Sequence, residues 1–141
     1  MVLSDRERAY VERARVARLA TADDRGRPQV VPVCFALVDG AVVSAVDEKP
    51  AEAGEQLRRV RDVESNPFVS LVVDHYREDW DRLGWVQLRG WATVLKPGAD
   101  GREAAIGALR GKYEQYEDHA LEERPLVWIE PGHAVSWGDL R

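Results

Sequence analysis

The chain of 141 residues has a single cysteine, Cys34, a single methionine and only two phenylalanines. One cysteine excludes an intramolecular disulfide, and its place in an apolar, strand-like run reads as core packing rather than as a reactive thiol. The three histidines, His75, His119 and His133, show no paired metal-ligand spacing and have no second cysteine to join, so no metal site is expected. No apolar run approaches a membrane span, and the N-terminus lacks the charged, apolar and small-residue order of a signal peptide. The expectation is a cytoplasmic protein without a membrane partner. An excess of positive charge is missing too. The net charge of −5 argues against nucleic acid as a partner. There is no G-x-S-x-G elbow, no Walker loop, no G-x-G-x-x-G fingerprint and no internal repeat. What remains, 45% hydrophobic and 32% charged, is the composition of an ordinary globular protein of one domain, taken here as residues 1–141.

The stretch from Asp23 to Asp47, DDRGRPQVVPVCFALVDGAVVSAVD, is the most informative present. Apolar, β-branched runs are broken by a Gly-Arg-Pro turn and then by Asp39-Gly40. An Asp-Gly pair between apolar runs is the strongest short-range sign of a tight hairpin, because both central residues of a type I′ turn need positive φ. With the run from Val16 to Ala22, this predicts three antiparallel strands in succession. Ahead of them, Ser4 and Glu7 form a capping box for a helix from Asp5 to about Arg15, with Ala9, Tyr10 and Ala14 inward. After them, EQLRRVRDVESNP places Leu57, Val60 and Val63 at helical spacing with an arginine-rich flank facing away, and Asn66-Pro67 ends it. FVSLVVD reads as a buried strand. WVQLRGWATVL alternates, with Val86, Leu88, Ala92 and Val94 on one face and Trp85, Gln87, Arg89 and Trp91 on the other. Between them lies HYREDWDRLG, longer than a hairpin needs and rich in aromatics. A helix from Gly101 to Tyr116 and two short strands, PLVWIE and HAVSWG, complete the chain. Without a regular βαβ alternation the fold class is mainly β with short helices, an antiparallel barrel.

Four segments carry a family likeness: RLATADDRGRPQVVPVCFAL, the DEKP before the second helix, NPFVSLVVDHYREDWDRLGWVQLRGWATV, and WIEPGHAVSWG. On these the chain resembles the pyridoxamine 5′-phosphate oxidase-like, split β-barrel superfamily. The DHY-x-EDW-x-RL-x-WV block is similar to its branch of probable deazaflavin (coenzyme F-420)-dependent oxidoreductases. The resemblance implies a homodimer with two cofactor sites at the subunit interface and a small-molecule substrate. It implies hydride transfer from reduced deazaflavin to a conjugated compound such as an enone, a quinone or a tetrapyrrole. FMN in place of deazaflavin is the alternative cofactor. A non-catalytic module carrying a cofactor or a haem-like ring on the same fold is the alternative function.

By the same resemblance the cofactor ring would lie along the edge formed by Gln29, Val30, Val31, Pro32 and Val33, where Pro32 removes a ladder donor. Lys49 matches the basic position for the cofactor phosphate. The chain departs from its apparent relatives just beyond, where Ala51, Glu52, Ala53, Gly54 and Glu55 stand in place of further basic residues. Each added carboxylate would oppose a phosphate by about 1 to 4 kcal/mol per close pair, and Arg58 and Arg59 are the compensating candidates. Trp80 and Trp85, with His75 and Tyr76, mark the substrate end, since aromatics sandwich planar ligands, although they equally suit a subunit interface. Trp137 is placed to reach a cofactor across the dimer. His75 or Tyr76 would deliver the proton that completes a reduction, with bulk water as the simpler source. The lack of any other acid–base constellation suits an enzyme whose cofactor carries the chemistry.

Overall fold

The computed structural model describes residues 2–46 and 53–141, with side chains from 58 onward in the second segment. Lys49 and Glu52 lie outside the described residues. Helix α1 (Asp5–Arg13) begins on the expected capping box: Ser4 Oγ accepts the Glu7 N–H at 3.1 Å, and the Glu7 carboxylate accepts the Ser4 N–H at 2.9 Å. It stops at Arg13 because Ala14 is already extended. Tyr10 and Val11 are buried and Ala14 is half-buried. Ala9, expected inward, is exposed; it sits about 100° round the helix from Tyr10.

Among the described residues seven strands form one sheet: β1 (Ala17–Ala22), β2 (Pro28–Val33), β3 (Ala36–Val38), β4 (Ala41–Ala45), β5 (Phe68–His75), β6 (Gly84–Leu95) and β7 (Leu126–Gly138). Every pairing is antiparallel, in the order β2-β1-β5-β6-β7-β4-β3. The expected succession of three strands is corrected here. The run after the Gly-Arg-Pro turn divides into β2 and β3, which occupy opposite edges of the sheet with only Cys34 and Phe35 between them. Six spacings of about 4.8 Å would hold the edges of a flat sheet roughly 29 Å apart. The three residue steps from Val33 to Ala36 span at most roughly 11 Å. The sheet must therefore curl until its edges meet, and this makes the fold a split β-barrel. At the crossing, Phe35 leaves the ladders and uses Tyr113 instead. Its N–H donates to Tyr113 Oη at 3.1 Å, and that hydroxyl faces the carbonyls of Phe35 and Arg15 at 3.1 and 2.9 Å.

The Asp39-Gly40 hairpin joins β3 and β4 with φ of 50° and 85°, as a type I′ turn requires. The two short strands expected at the C-terminus are one. Arg89 pairs with His133 and Gly90 with Pro131, so Gly132 is the extra residue of a bulge in a continuous β7. Pro131 and Gly132 look like a break in the sequence because neither supports a regular ladder. Strand β5 is buried on one side only, Phe68 being 62% exposed.

Helix α2 (Ala53–Ser65) ends before Asn66-Pro67 and buries Val63. Its arginine flank does not all face away. Arg59 is buried and Arg58 half-buried, because the buried Asp62 draws the helix's polar side toward the β1–β2 turn. Helix α3 (Arg102–Lys112) is shorter than expected, since Tyr113 turns extended to reach the crossing and a 3₁₀ turn, Glu114–Asp118, follows. The barrel interior holds Leu19, Phe35, Val42, Leu71, Leu88 and Ile129. A second cluster, with Val43, Ala105, Leu109 and Leu126, fixes α3 to the other side of β3 and β4. Each of the Leu, Ile, Val and Phe side chains among these contributes about 1.5 to 3 kcal/mol on full burial.

Candidate functional site

Strand alternation puts one side chain in two on the outside of the barrel, and the register aligns these into rows. Phe68 faces Trp91, Ser70 faces Arg89, and Ala20 faces Ser70 from β1. Phe68 and Trp91 form a tilted pair with ring centroids 6.0 Å apart, both rings more than half exposed. They wall an apolar groove of about 540 Å³, which Ala20, Ala22, Val69 and Pro28 also line. Arg89 and His133 stand at one side of it. The bulge makes this shape possible. Trp91 lies flat over Gly132, where an added Cβ would come within 2.5 Å of Trp91 Cζ3.

Beside the groove, and sharing Pro28 with it, a polar cavity of about 880 Å³ separates the β1–β2 turn from α2. Its arginines are Arg27, Arg58 and Arg61, and its acids are Asp23, Asp24, Asp62 and Glu64. Arg27 Nε pairs with Asp23 at 2.7 Å. The backbone N–H of Arg27, and then the Arg27 side chain and the Arg25 N–H, hold the Asp23 carboxyl down to about 2. Asp62 is buried, accepts from Thr21 Oγ1 at 3.0 Å and lies 3.6 Å from Arg58 Nε. Arg61 is exposed and has no ion-pair partner among the described residues. An amphiphilic cofactor can be tested against this pair of spaces. A flat conjugated ring fits the groove's walls. A charged tail reaches a cavity with one uncommitted guanidinium and two that are already paired.

The residues singled out from the sequence fall into three places. On β2 the alternation separates them: Val30 and Pro32 are exposed on the outer face, Val31 packs on the core and Val33 is buried. Gln29 points the same way as these two, and its Oε1 is buried without a hydrogen-bond partner. Trp85 and Trp137 face each other across β6 and β7, and Trp137 joins Trp80, Arg6 and Arg141 around a second cleft of about 410 Å³. Six residues of strand, about 20 Å, separate Trp85 from Trp91, so this aromatic end and the groove are distinct. His75 is tied down. Its Nε2 lies 2.5 Å from the Arg82 carbonyl, which can only accept, so Nε2 carries the proton and Nδ1 accepts the Tyr10 hydroxyl at 2.7 Å. The imidazole thus anchors the loop to α1. Tyr76 is exposed, and its Oη accepts from Trp80 Nε1 at 3.3 Å. Arg58 lines the polar cavity, whereas Arg59 is buried beside it.

Sequence reasoning missed Phe68, Trp91, Arg89, His133, Arg27 and Arg61. The outward phase of Arg89 and Trp91 was legible, but their partners depend on strand register. Among the described residues no three His, Cys, Asp or Glu side chains cluster to hold a metal, and no helix is long and apolar enough to cross a membrane.

The curled seven-stranded sheet with few short helices defines a split β-barrel of the pyridoxamine 5′-phosphate oxidase type. The chain belongs to the pyridoxamine 5′-phosphate oxidase family, whose sequence profile matches residues 3–138. Among solved structures it is similar to the haem storage protein HutZ of Vibrio cholerae, with a TM-score of 0.72 at 17% identity over 98% of this chain and 95% of that one. A haem-binding protein of Mycobacterium smegmatis has a TM-score of 0.72 at 22% identity over 99% of this chain and 56% of that longer one. An F-420 reductase has a TM-score of 0.64 at 19% identity over 90% and 94% of the two chains. No curated protein matches in sequence. At these identities the structural likeness shows the fold.

Proposed function

We propose that the chain is a homodimeric oxidoreductase that uses a deazaflavin to reduce a conjugated organic substrate. The observation that carries the reading is the junction of an apolar groove walled by Phe68 and Trp91 with a polar cavity bearing Arg27, Arg58 and Arg61. That pairing suits a ligand with a flat ring at one end and a charged chain at the other. Reduced deazaflavin, when bound, supplies a hydride. The protein's part is to hold and shield. Phe68 and Trp91 flank the ring and exclude water, and Val30 and Pro32 extend the apolar edge beyond Pro28. Arg61 and Lys49 take the charged chain, and Arg58 can turn to it from Asp62. His75, with both ring nitrogens engaged, positions the aromatic loop, so the proton comes from Tyr76 or from solvent. The end carrying the exposed Trp80 and Trp137 and the half-buried Trp85 meets the second subunit. Titration with deazaflavin and FMN tests the reading: the deazaflavin should bind more tightly, and Trp91→Ala should weaken it. Binding of FMN alone would move the assignment to FMN, and binding of neither would remove it.

A second reading is haem binding. His133 supports it, because an exposed imidazole at the rim of an apolar groove can ligate iron, and two similar structures are haem proteins. Haem titration of the wild type and His133→Ala, read at the Soret band, separates it from the first.

A further inference from the structure

The groove's charge runs against the charge of the chain. The protein carries a net −5, yet the ionisable side chains lining the groove are Arg89 and His133, with no carboxylate among them. Register sets them in a row. Ser70 lies opposite Arg89 across β5 and β6, and Arg89 opposite His133 across β6 and β7. Hydroxyl, guanidinium and imidazole therefore cross three strands on one face, about 10 Å from end to end. Arg89 and His133 are exposed, and none of the three has a hydrogen-bond or ion-pair partner among the described residues. The nearest acid in this register, Glu130 opposite Trp91, accepts from Trp128 Nε1 at 2.8 Å. Several other arginines find carboxylates: Arg18 has Asp74, Arg27 has Asp23 and Arg110 has Glu122.

We infer that Ser70, Arg89 and His133 form an anion-recognition row, and that the planar conjugated ligand taken by the groove bears a carboxylate or a similar oxyanion on or beside its ring. This rests on the reading of the groove as the site of a planar ligand and adds the chemical class of that ligand. The guanidinium offers a planar fork that matches a carboxylate in two-point contact, and Ser70 and His133 supply donors on either side of it. Phe68 and Trp91 take the conjugated body. A neutral molecule of the same shape would leave Arg89 beside an apolar wall with nothing to neutralise it, so the row discriminates by charge.

Two fluorescent probes separate this inference from the reading beneath it. Anilinonaphthalene sulfonate is flat and anionic, and phenylnaphthylamine is its neutral counterpart. Both should bind the wild-type protein, the sulfonate more tightly and with an affinity that falls as salt rises. Arg89→Met should weaken the sulfonate roughly tenfold to a hundredfold, the range for losing hydrogen bonds to a charged group, and leave the neutral probe unchanged. Trp91→Ala should weaken both. If Trp91→Ala changes neither, the groove is not the ligand site and the underlying reading fails. If Trp91→Ala weakens both while Arg89→Met leaves the sulfonate bound as before, only the anion row is refuted. Light scattering run alongside covers the remaining case: a change of oligomeric state in Arg89→Met with both affinities kept would make the row a subunit contact and overturn the inference.

Discussion

Gly132→Ala separates the groove from the fold that carries it. The bulge glycine has an ordinary backbone conformation, so alanine brings no dihedral strain; what it meets is the indole of Trp91, at 2.5 and 3.0 Å from its added Cβ. Contacts that short do not persist, and the backbone of β6 is fixed by pairing on both sides. The ring must therefore rotate away. Trp91 is 51% exposed, so it can do so at small cost, and stability should fall by no more than about 1 kcal/mol, close to an ordinary surface substitution. Its pairing with Phe68 is lost with it. An aromatic pair of this kind is worth about 0.5 to 1.5 kcal/mol beyond its burial. A planar ligand that loses this wall should bind roughly twofold to tenfold more weakly, at about 1.4 kcal/mol per decade. The assay is a ligand titration with tryptophan fluorescence, beside a denaturant melt of the same variant. Unchanged affinity would show that Trp91 is not a wall of the site. Loss of several kcal/mol of stability would show instead that Trp91 belongs to the core.

Two further outcomes test how the rest of the fold is held. Arg102 is buried and donates to the carbonyls of Leu95, Leu121 and Arg124 at 2.6, 2.9 and 2.7 Å, so Arg102→Met should destabilise by at least about 3 kcal/mol by leaving these acceptors unpaired, measured by chemical denaturation; a change under about 1 kcal/mol would mean water replaces it. Lys112 sits with Nζ 3.8 Å from the centre of the Phe35 ring, and burial, followed by the charge of Arg15, pushes its ammonium down to about 8. The folded state thus binds fewer protons than the unfolded one between about 8 and the ordinary 10.5, and stability should rise with pH across that window. Lys112→Met should raise the melting temperature at neutral pH and abolish the rise, and a variant that kept the rise would exonerate Lys112.

How much of this was legible in advance differs by kind. The helix cap at Ser4 and the hairpin at Asp39-Gly40 were readable because each is decided within four residues. The two faces of β6 were readable because side chains alternate whatever the partners are. The family was readable from four motifs spread along the chain. The division of one apolar run into β2 and β3 was not, because Cys34 and Phe35 differ from their neighbours only in leaving the ladder, Cys34 for the Ser44 hydroxyl and Phe35 for Tyr113, 78 residues away. The bulge at Gly132 was hidden for a similar reason: Pro131-Gly132 marks a stop in sequence and becomes a continuation only against β6.

The site divides along the same line. Sequence alone determined that this is a mainly β chain of one family, with local turns, caps and outward-facing aromatics set by short-range sterics and periodicity. It also singled out Arg58, which lines the polar cavity, and Val30 and Pro32, which lie exposed on the outer face of β2. Only the tertiary structure decided that Phe68 meets Trp91, that Arg89 meets His133, and that Arg61 looks onto the turn at Asp23. Those meetings depend on register and on the closure of the sheet, and both are fixed by which apolar faces can be buried together, a condition no single segment contains.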